Sequence, residues 1–386
     1  MNIRSDFFVN SDSHKDTLGK RKQKGNFRTL NPFRREIDFC SNDYLGLARS
    51  AEFRKKTEEI IDSYGDYRNG SGGSRLICGT TMHLTELEKT VADFHNTESA
   101  LIFNSGYSAN IGLFSCIGRR QDTIIVDEKI HASVHDGLRL SLSRNFKFSH
   151  NNIEDLERKI KNASGDVYVA VEALYSMDGD LAPLADIAAI CKKYKARLIV
   201  DEAHSTGIFG DRGEGLATEV QIDPYIFAKI HTYGKAMGCH GASVCGGELL
   251  INYLVNYSRP FIFTTAVTDH IVASIQAAYS LMPELSSERS RLQANIDAYR
   301  KNVNIHQYSS LSDCRSPVQI FPVDGNEHAD ICSKELEENG FAVKPVKSPT
   351  VSEGKERLRI CIHEFNIEKE INDLATLLNN IKKIRN

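Results

Sequence analysis

Apolar positions along this chain fall into two alternating registers. Ser99–Asn104, Thr123–Val126, Val167–Val171 and Leu198–Val200 are short apolar runs that read as buried strands. Between them, residues 107–117 are helical by spacing, and Leu184, Ile187, Ala188, Cys191 and Tyr194 share one helical face. Such alternation, established from His83 onward, predicts an α/β unit with a largely parallel sheet covered on both faces. After roughly residue 285 the pattern shifts. Strand-like Val318–Phe321 precedes a helix over 329–338 that stops at Gly340. Further strands are predicted over 341–346 and 358–362, and a last helix aligns Ile371, Leu374, Leu377, Leu378 and Ile381. The expected organisation is an N-terminal arm with a short strand over Ile37–Cys40 (1–50), a large domain (51–284) and a small C-terminal α+β domain (285–386).

Composition and charge exclude more than they identify. The 386 residues carry a net charge of −3, with 41% hydrophobic and 26% charged positions. This is a globular balance with a large core. Roughly 150 residues per domain would give two or three domains. Nothing in the charge points to a nucleic-acid partner. The basic cluster Lys20-Arg21-Lys22-Gln23-Lys24 is either a solvated arm or a device that steers an anionic substrate. Nine scattered cysteines without metal-ligand spacing read as reduced thiols in a reducing compartment. No run approaches the roughly 18 apolar residues of a membrane span. The start M-N-I-R-S-D-F-F-V-N lacks the apolar core of a signal peptide, so the expected location is cytoplasmic. Among the thirteen histidines no pair sits at i, i+4 around a helical carboxylate, which argues against a metal hydrolase.

The chemistry concentrates in two segments. T-Y-G-K-A-M-G centres on Lys235, and upstream R-L-I-V-D-E-A-H ends a buried strand with Asp201 and His204. In this order they describe a site for pyridoxal 5'-phosphate (PLP). The lysine amine condenses with the cofactor aldehyde, and the aspartate pairs with the ring nitrogen, which keeps the ring an electron sink. Other polar residues follow predicted strands, where open α/β sheets bind ligands. Ser105-Gly106-Tyr107 opens a helix whose amides suit a phosphate, although a plain strand-to-helix turn reads the same way. His131 could lie over the ring or be an ordinary structural histidine. Ser176 is placed to donate a hydrogen bond in the site, Thr232 has a hydroxyl suited to phosphate, and His204 could reach the phenolic oxygen. Asp178-Gly179-Asp180 reads as a turn.

The ordered motifs S-N-D-Y-L-G-L, G-S-G-G-S-R-L-I-C-G-T, S-G-Y-S-A-N, H-A-S, Y-S-M-D-G-D-L-A-P-L, V-D-E-A-H-S-T-G and T-Y-G-K-A-M-G resemble the α-oxoamine synthases, PLP enzymes of fold type I. The resemblance runs from about Asp38 to the end. It implies a mainly parallel seven-stranded sheet with helices on both faces, and a homodimer that shares its sites. Residue by residue, it implies that Lys235 carries PLP and later moves protons. Asp201 would pair with the ring nitrogen, His131 stack on the ring and His204 touch its phenolic oxygen. Gly106, Tyr107, Ser176 and Thr232 would contact the cofactor, with Thr264 and Thr265 reaching the phosphate of the partner subunit's site. Asn42 and Arg359 would flank an amino-acid carboxylate, and Thr350 would line the acyl path. The activity implied is a decarboxylative condensation of an amino acid with an acyl thioester. G-S-G-G-S-R, G-K-A-M-G-C-H-G-A and K-S-P-T-V resemble members that use L-alanine and a pimeloyl thioester, carried by coenzyme A or a carrier protein. Glycine with acetyl-CoA is the rival within the family, and a non-catalytic subunit of the same fold is the rival outside it. Lys347 stands where an arginine is usual, which weakens a bidentate contact there.

Overall fold

A computed structural model of the chain describes residues 12–30, 32, 36–303 and 312–383. Twelve strands run in order among the described residues: β1 Ile37–Asp38, β2 Ser99–Phe103, β3 Thr123–Asp127, β4 Arg144–Phe148, β5 Val167–Glu172, β6 Arg197–Asp201, β7 Ile226–Thr232, β8 Ala242–Gly246, β9 Val318–Pro322, β10 Phe341–Ala342, β11 Lys344–Val346 and β12 Arg357–Cys361. Seven of them form the large sheet in the order β2-β8-β7-β6-β5-β3-β4. Every neighbour pairing is parallel except the two made by β8.

Period-two burial explains why the sheet is covered on both faces. Val169 and Val171 of β5, with Leu198 and Val200 of β6, join the core under the helices Ile153–Lys161 and Leu184–Tyr194. Tyr168, Ala170 and Ile199 point the other way, toward Ala109 and Leu113 of helix Gly106–Phe114 and Val134 and Leu138 of helix Ala132–Leu140. Each fully buried aliphatic side chain contributes about 1.5–3 kcal/mol. A third cluster packs helices Met82–Phe94 and Asp269–Leu281 on Ala100, Ile102 and Cys245.

The C-terminal unit is an antiparallel sheet, β11-β12-β9, with helices Asn326–Glu338 and Glu368–Lys383. β1 pairs in parallel with β10, so the start of the chain is stitched into this unit. A helix, Asp12–Gln23, precedes that strand and contains Lys20, Arg21 and Lys22. Lys347 bonds the Gly25 carbonyl at 2.6 Å and Asp330 at 2.8 Å, tying this segment to the C-terminal unit.

The Asp178-Gly179-Asp180 turn is also a latch between the two units. Gly179 has φ +72°, and a Cβ there would lie 1.9 Å from the Val318 carbonyl oxygen. Asp178 pairs with Arg357 of β12 and, at 3.3 Å, with Lys129. The Ser312 hydroxyl donates to the Asp178 carbonyl at 2.6 Å.

Candidate active site

The carboxyl ends of β2, β3, β5, β6 and β7 open on a cavity of about 250 Å³. Its wall includes Asn42, Gly106, Tyr107, His131, Asp201, His204, Thr232 and Lys235, so the structure brings together eight of the residues singled out in the sequence. The chain order scatters them, and the parallel sheet gathers them because each strand delivers its following loop to the same edge.

Asp201 ends β6 and is buried. Its Oδ2 accepts from Asn110 Nδ2 at 2.9 Å, and its Oδ1 accepts from the Ala203 N–H at 3.0 Å. Glu172 stands beside it in register on β5. Burial, and then the nearby Asp201 charge, push the Glu172 carboxyl well above the usual range, so it keeps its proton.

Lys235 Nζ donates to Thr232 Oγ1 at 3.3 Å. Burial lowers the lysine below its ordinary value, opposed chiefly by Asp201 and assisted by Arg359. Its amine is thus easier to obtain neutral, as condensation with an aldehyde requires.

His131 caps the helix Ala132–Leu140. Asn110 Nδ2 donates to Ser133 Oγ at 3.0 Å, and that hydroxyl lies 2.7 Å from His131 Nδ1. The Ser133 amide also points at Nδ1, at 3.3 Å. With two donors on Nδ1, the neutral ring carries its proton on Nε2. Burial lowers the proton affinity of this ring, partly opposed by Asp201.

His204 is buried, and burial holds it well below its ordinary value. Its Nδ1 lies 2.8 Å from the Tyr44 hydroxyl, which donates to Asn42 Oδ1 at 3.0 Å. Arg359 Nη2 donates to the same oxygen at 3.0 Å. The rest of the guanidinium meets the Ser176 carbonyl at 2.7 Å and Cys361 Sγ at 2.8 Å. No carboxylate pairs with Arg359 among the described residues.

Ser176 meets this cluster through its carbonyl, while its N–H donates to Glu172 at 3.3 Å. Thr264 and Thr265 lie outside the cavity wall, bonded to Asn104 at 3.3 and 2.9 Å. Thr350 is exposed on the loop after β11 and does not line the cavity of the single chain. Sequence reasoning left Asn110, Ser133, Tyr44 and Glu172 without roles. Three of them sat in quoted motifs, S-G-Y-S-A-N, H-A-S and S-N-D-Y-L-G-L. Asn110 falls one helical turn from Gly106, which would have aimed it at the same end of the sheet.

The residues fit PLP. The helix Gly106–Phe114 starts at the cavity, and its first amides have no partner within the helix. Gly106 presses so closely on Thr232 that a Cβ would lie 2.4 Å from Thr232 Cγ2. Asn110 Oδ1 and Glu172 Oε1 are buried without a hydrogen-bond partner. An anion cradle, an amine and a carboxylate therefore converge on one space.

Comparison with known proteins agrees with this geometry. The model for the family described as aminotransferase class I and II matches residues 34–372. An 8-amino-7-oxononanoate synthase from Emericella nidulans is 36% identical, covering 96% of this chain and 97% of its own. The solved 8-amino-7-oxononanoate synthase from Francisella tularensis is 27% identical with a TM-score of 0.76, covering 91% of this chain and 98% of its own. A solved serine palmitoyltransferase carrying PLP is 26% identical with a TM-score of 0.84, covering 90% of this chain and 88% of its own.

Proposed function

The chain belongs to the aminotransferase class I and II family, and on that premise we propose that it joins L-alanine to a pimeloyl thioester. The products are 8-amino-7-oxononanoate, carbon dioxide and the free thiol, a step of biotin synthesis. The observation that carries this reading is Arg359, a partly buried guanidinium that touches only neutral acceptors, among them Asn42 of the cavity wall, and whose charge is felt by Lys235. Such a group is built to receive a substrate carboxylate.

Bound PLP supplies an aldehyde for a primary amine and a ring that withdraws electrons from the bond being broken. Lys235 would hold it through Nζ and Asp201 at the ring nitrogen. Gly106, Tyr107, Thr232 and Ser176 would contact it, with His131 and His204 against the ring. Arg359 and Asn42 take the alanine carboxylate, and the guanidinium gives paired, charge-assisted hydrogen bonds. Lys235 Nζ accepts the proton from the alanine Cα, which its lowered proton affinity and position permit. A bond then forms between that carbon and the thioester carbonyl, and the carbon–sulfur bond breaks. His131, with Nε2–H as donor, stabilises charge on the thioester oxygen. Carbon dioxide leaves, and Lys235 returns a proton to the carbon.

The exposed side chains of Leu76, Ile77, Met82 and Phe263 support a homodimer, with Thr264 and Thr265 serving the second copy's site. The two loops that carry this patch already touch, through the Ala266 N–H and the Gly73 carbonyl at 2.9 Å. A cytoplasmic location suits the reduced cysteines, and no helix among the described residues is long and apolar enough to cross a membrane. The test is an absorbance titration of the PLP-loaded protein with L-alanine and with glycine, each followed by pimeloyl-CoA or acetyl-CoA. Thiol release with alanine and the pimeloyl donor is expected. Release only with glycine and acetyl-CoA would move the chain to its rival within the family.

A further inference from the structure

The cavity wall includes a ring that the reaction scheme does not use, His240 in the turn between β7 and β8. Its place follows from the sheet. β8 runs against both of its neighbours, so the residues before it reach the edge where the other strands release their loops. Ala242, at the start of β8, pairs with Phe103 of β2 on one side and with Thr232 of β7 on the other. Two residues after Phe103 comes Ser105, the cap of the helix Gly106–Phe114, and two residues before Ala242 comes His240. Hydrogen bonding continues past the strand ends. The Tyr233 N–H donates to the Gly241 carbonyl at 3.0 Å, and the Cys239 N–H donates to the Tyr233 carbonyl at 2.9 Å. His240 is thus held between two main-chain bonds to Tyr233, itself two residues from Lys235. On the other flank, Gly241 lies so close to β2 that a Cβ would be 3.2 Å from the Phe103 carbonyl oxygen. Along this edge the order is therefore Asp201, Lys235, His240, and then Ser105 and Gly106.

We propose that His240 donates a ring N–H to the cofactor phosphate, as a side-chain member of the cradle whose main-chain amides come from the start of the helix Gly106–Phe114. The inference rests on the reading of this cavity as the PLP site. With its ring nitrogen at Asp201 and its aldehyde at Lys235, the cofactor has its phosphate toward the helix start, and the edge order puts His240 on that side of Lys235. One strand spacing, about 4.8 Å, separates the backbones of β8 and β2, within reach of an imidazole ring. An imidazole carries at least one N–H in either protonation state, and the ionised oxygens of a phosphate are strong acceptors. Nothing else engages this ring. Among the described residues it makes no hydrogen bond, ion pair or aromatic contact, and it is exposed while lining the cavity. Its neighbours Tyr233, Ala236 and Met237 are buried and supply the local packing, so the fold does not call for a histidine here.

The discriminating probe is pyridoxal, which has the aldehyde and ring of PLP and no phosphate. Full-chain protein freed of cofactor is titrated with PLP and with pyridoxal, followed by cofactor absorbance, for the wild type and for His240→Ala. The variant should lose about tenfold in affinity for PLP, the worth of one charge-assisted hydrogen bond at an exposed site, and stay within about twofold for pyridoxal. The phosphorus NMR signal of bound PLP should also move in the variant while the visible absorbance stays, which a disturbed lysine loop would not produce. Equal losses for the two ligands would overturn the proposal and place His240 against the ring or the lysine loop. Unchanged affinity for both would overturn it as well, and a raised KM for the thioester would then assign His240 to the acyl donor. A wild type that binds pyridoxal as tightly as PLP would remove the phosphate cradle itself, and the part of His240 in it. Thiol release from alanine and the pimeloyl donor, measured on the wild type, decides the reaction separately.

Discussion

Gly106→Ala separates the stability of this fold from the fitness of its cofactor cradle. The new Cβ would lie 2.4 Å from Thr232 Cγ2, where ordinary contact is 3.4–4 Å, so Thr232 must retreat by about 1 Å. Thr232 is β-branched and stiff, and overpacking of this kind costs about 1–3 kcal/mol. Alanine in a helix in place of glycine returns about 0.5–1 kcal/mol. The net loss of stability should therefore be small, about 0.5–2 kcal/mol. The cradle fares worse. Thr232 Oγ1 is the acceptor for Lys235 Nζ at 3.3 Å, and Gly106 and Thr232 both line the cavity. A hydrogen bond to a charged group is worth about 1.5–3 kcal/mol. At 1.4 kcal/mol per decade this weakens PLP binding roughly ten- to a hundredfold. Thermal unfolding of the apo protein and a cofactor absorbance titration measure the two effects separately. A variant that binds PLP as tightly as the wild type would refute the reading of this helix start as the phosphate cradle.

Three further outcomes follow from the same geometry. Gly179→Ala meets backbone at 1.9 Å with φ +72°; left-handed strain of about 1–2 kcal/mol plus overpacking of about 1–3 kcal/mol should appear as a loss of about 2–5 kcal/mol in urea unfolding, and a wild-type midpoint would refute the latch. Burial works against a charged His150 ring, but its hydrogen bonds to Asp127 at 2.9 Å and Asp180 at 2.5 Å prevail and push it up to about 9. A raised value means stability that is complete below about 6.5 and lost as pH rises through about 9; the shift corresponds to ~3 kcal/mol, which solvent screening reduces to about 1–2 kcal/mol, and His150→Gln should flatten the profile in that window. Arg359→Lys loses the paired geometry and should raise KM for L-alanine at least about tenfold, while PLP still binds with wild-type absorbance.

Much of the α/β unit was legible because its central strands are buried on both faces. Val167–Val171 and Leu198–Val200 are apolar runs for that reason. β4, β7 and β8 were not, and for the first two the physical cause is plain. β7 carries Lys229 and His231 inside the core, where Lys229 pairs with Asp223 at 2.9 Å and His231 Nδ1 meets the Thr206 hydroxyl at 2.8 Å. A lysine and a histidine among the apolar positions break the run that marks a buried strand. β4 lies at the sheet edge and exposes Arg144, Asn145 and Lys147, so it lacks an apolar run. At the site, Lys235 and Asp201 stood out because their chemistry is rare and their order specific. Asn110 and Tyr44 act through other side chains, which only the folded neighbourhood reveals. The turn read at Asp178-Gly179 was visible as a turn, but its hold on Val318 and Arg357 depends on the packing of a distant sheet.

The most direct test of the central claim uses L-alanine labelled at its carboxyl carbon, a pimeloyl thioester and the PLP-loaded protein, with Lys235→Ala alongside. The account predicts labelled carbon dioxide and free thiol in equal amounts from the wild type, the amino ketone retaining none of the label, and no turnover from the variant. Thiol release without labelled carbon dioxide, or full activity in Lys235→Ala, would contradict it.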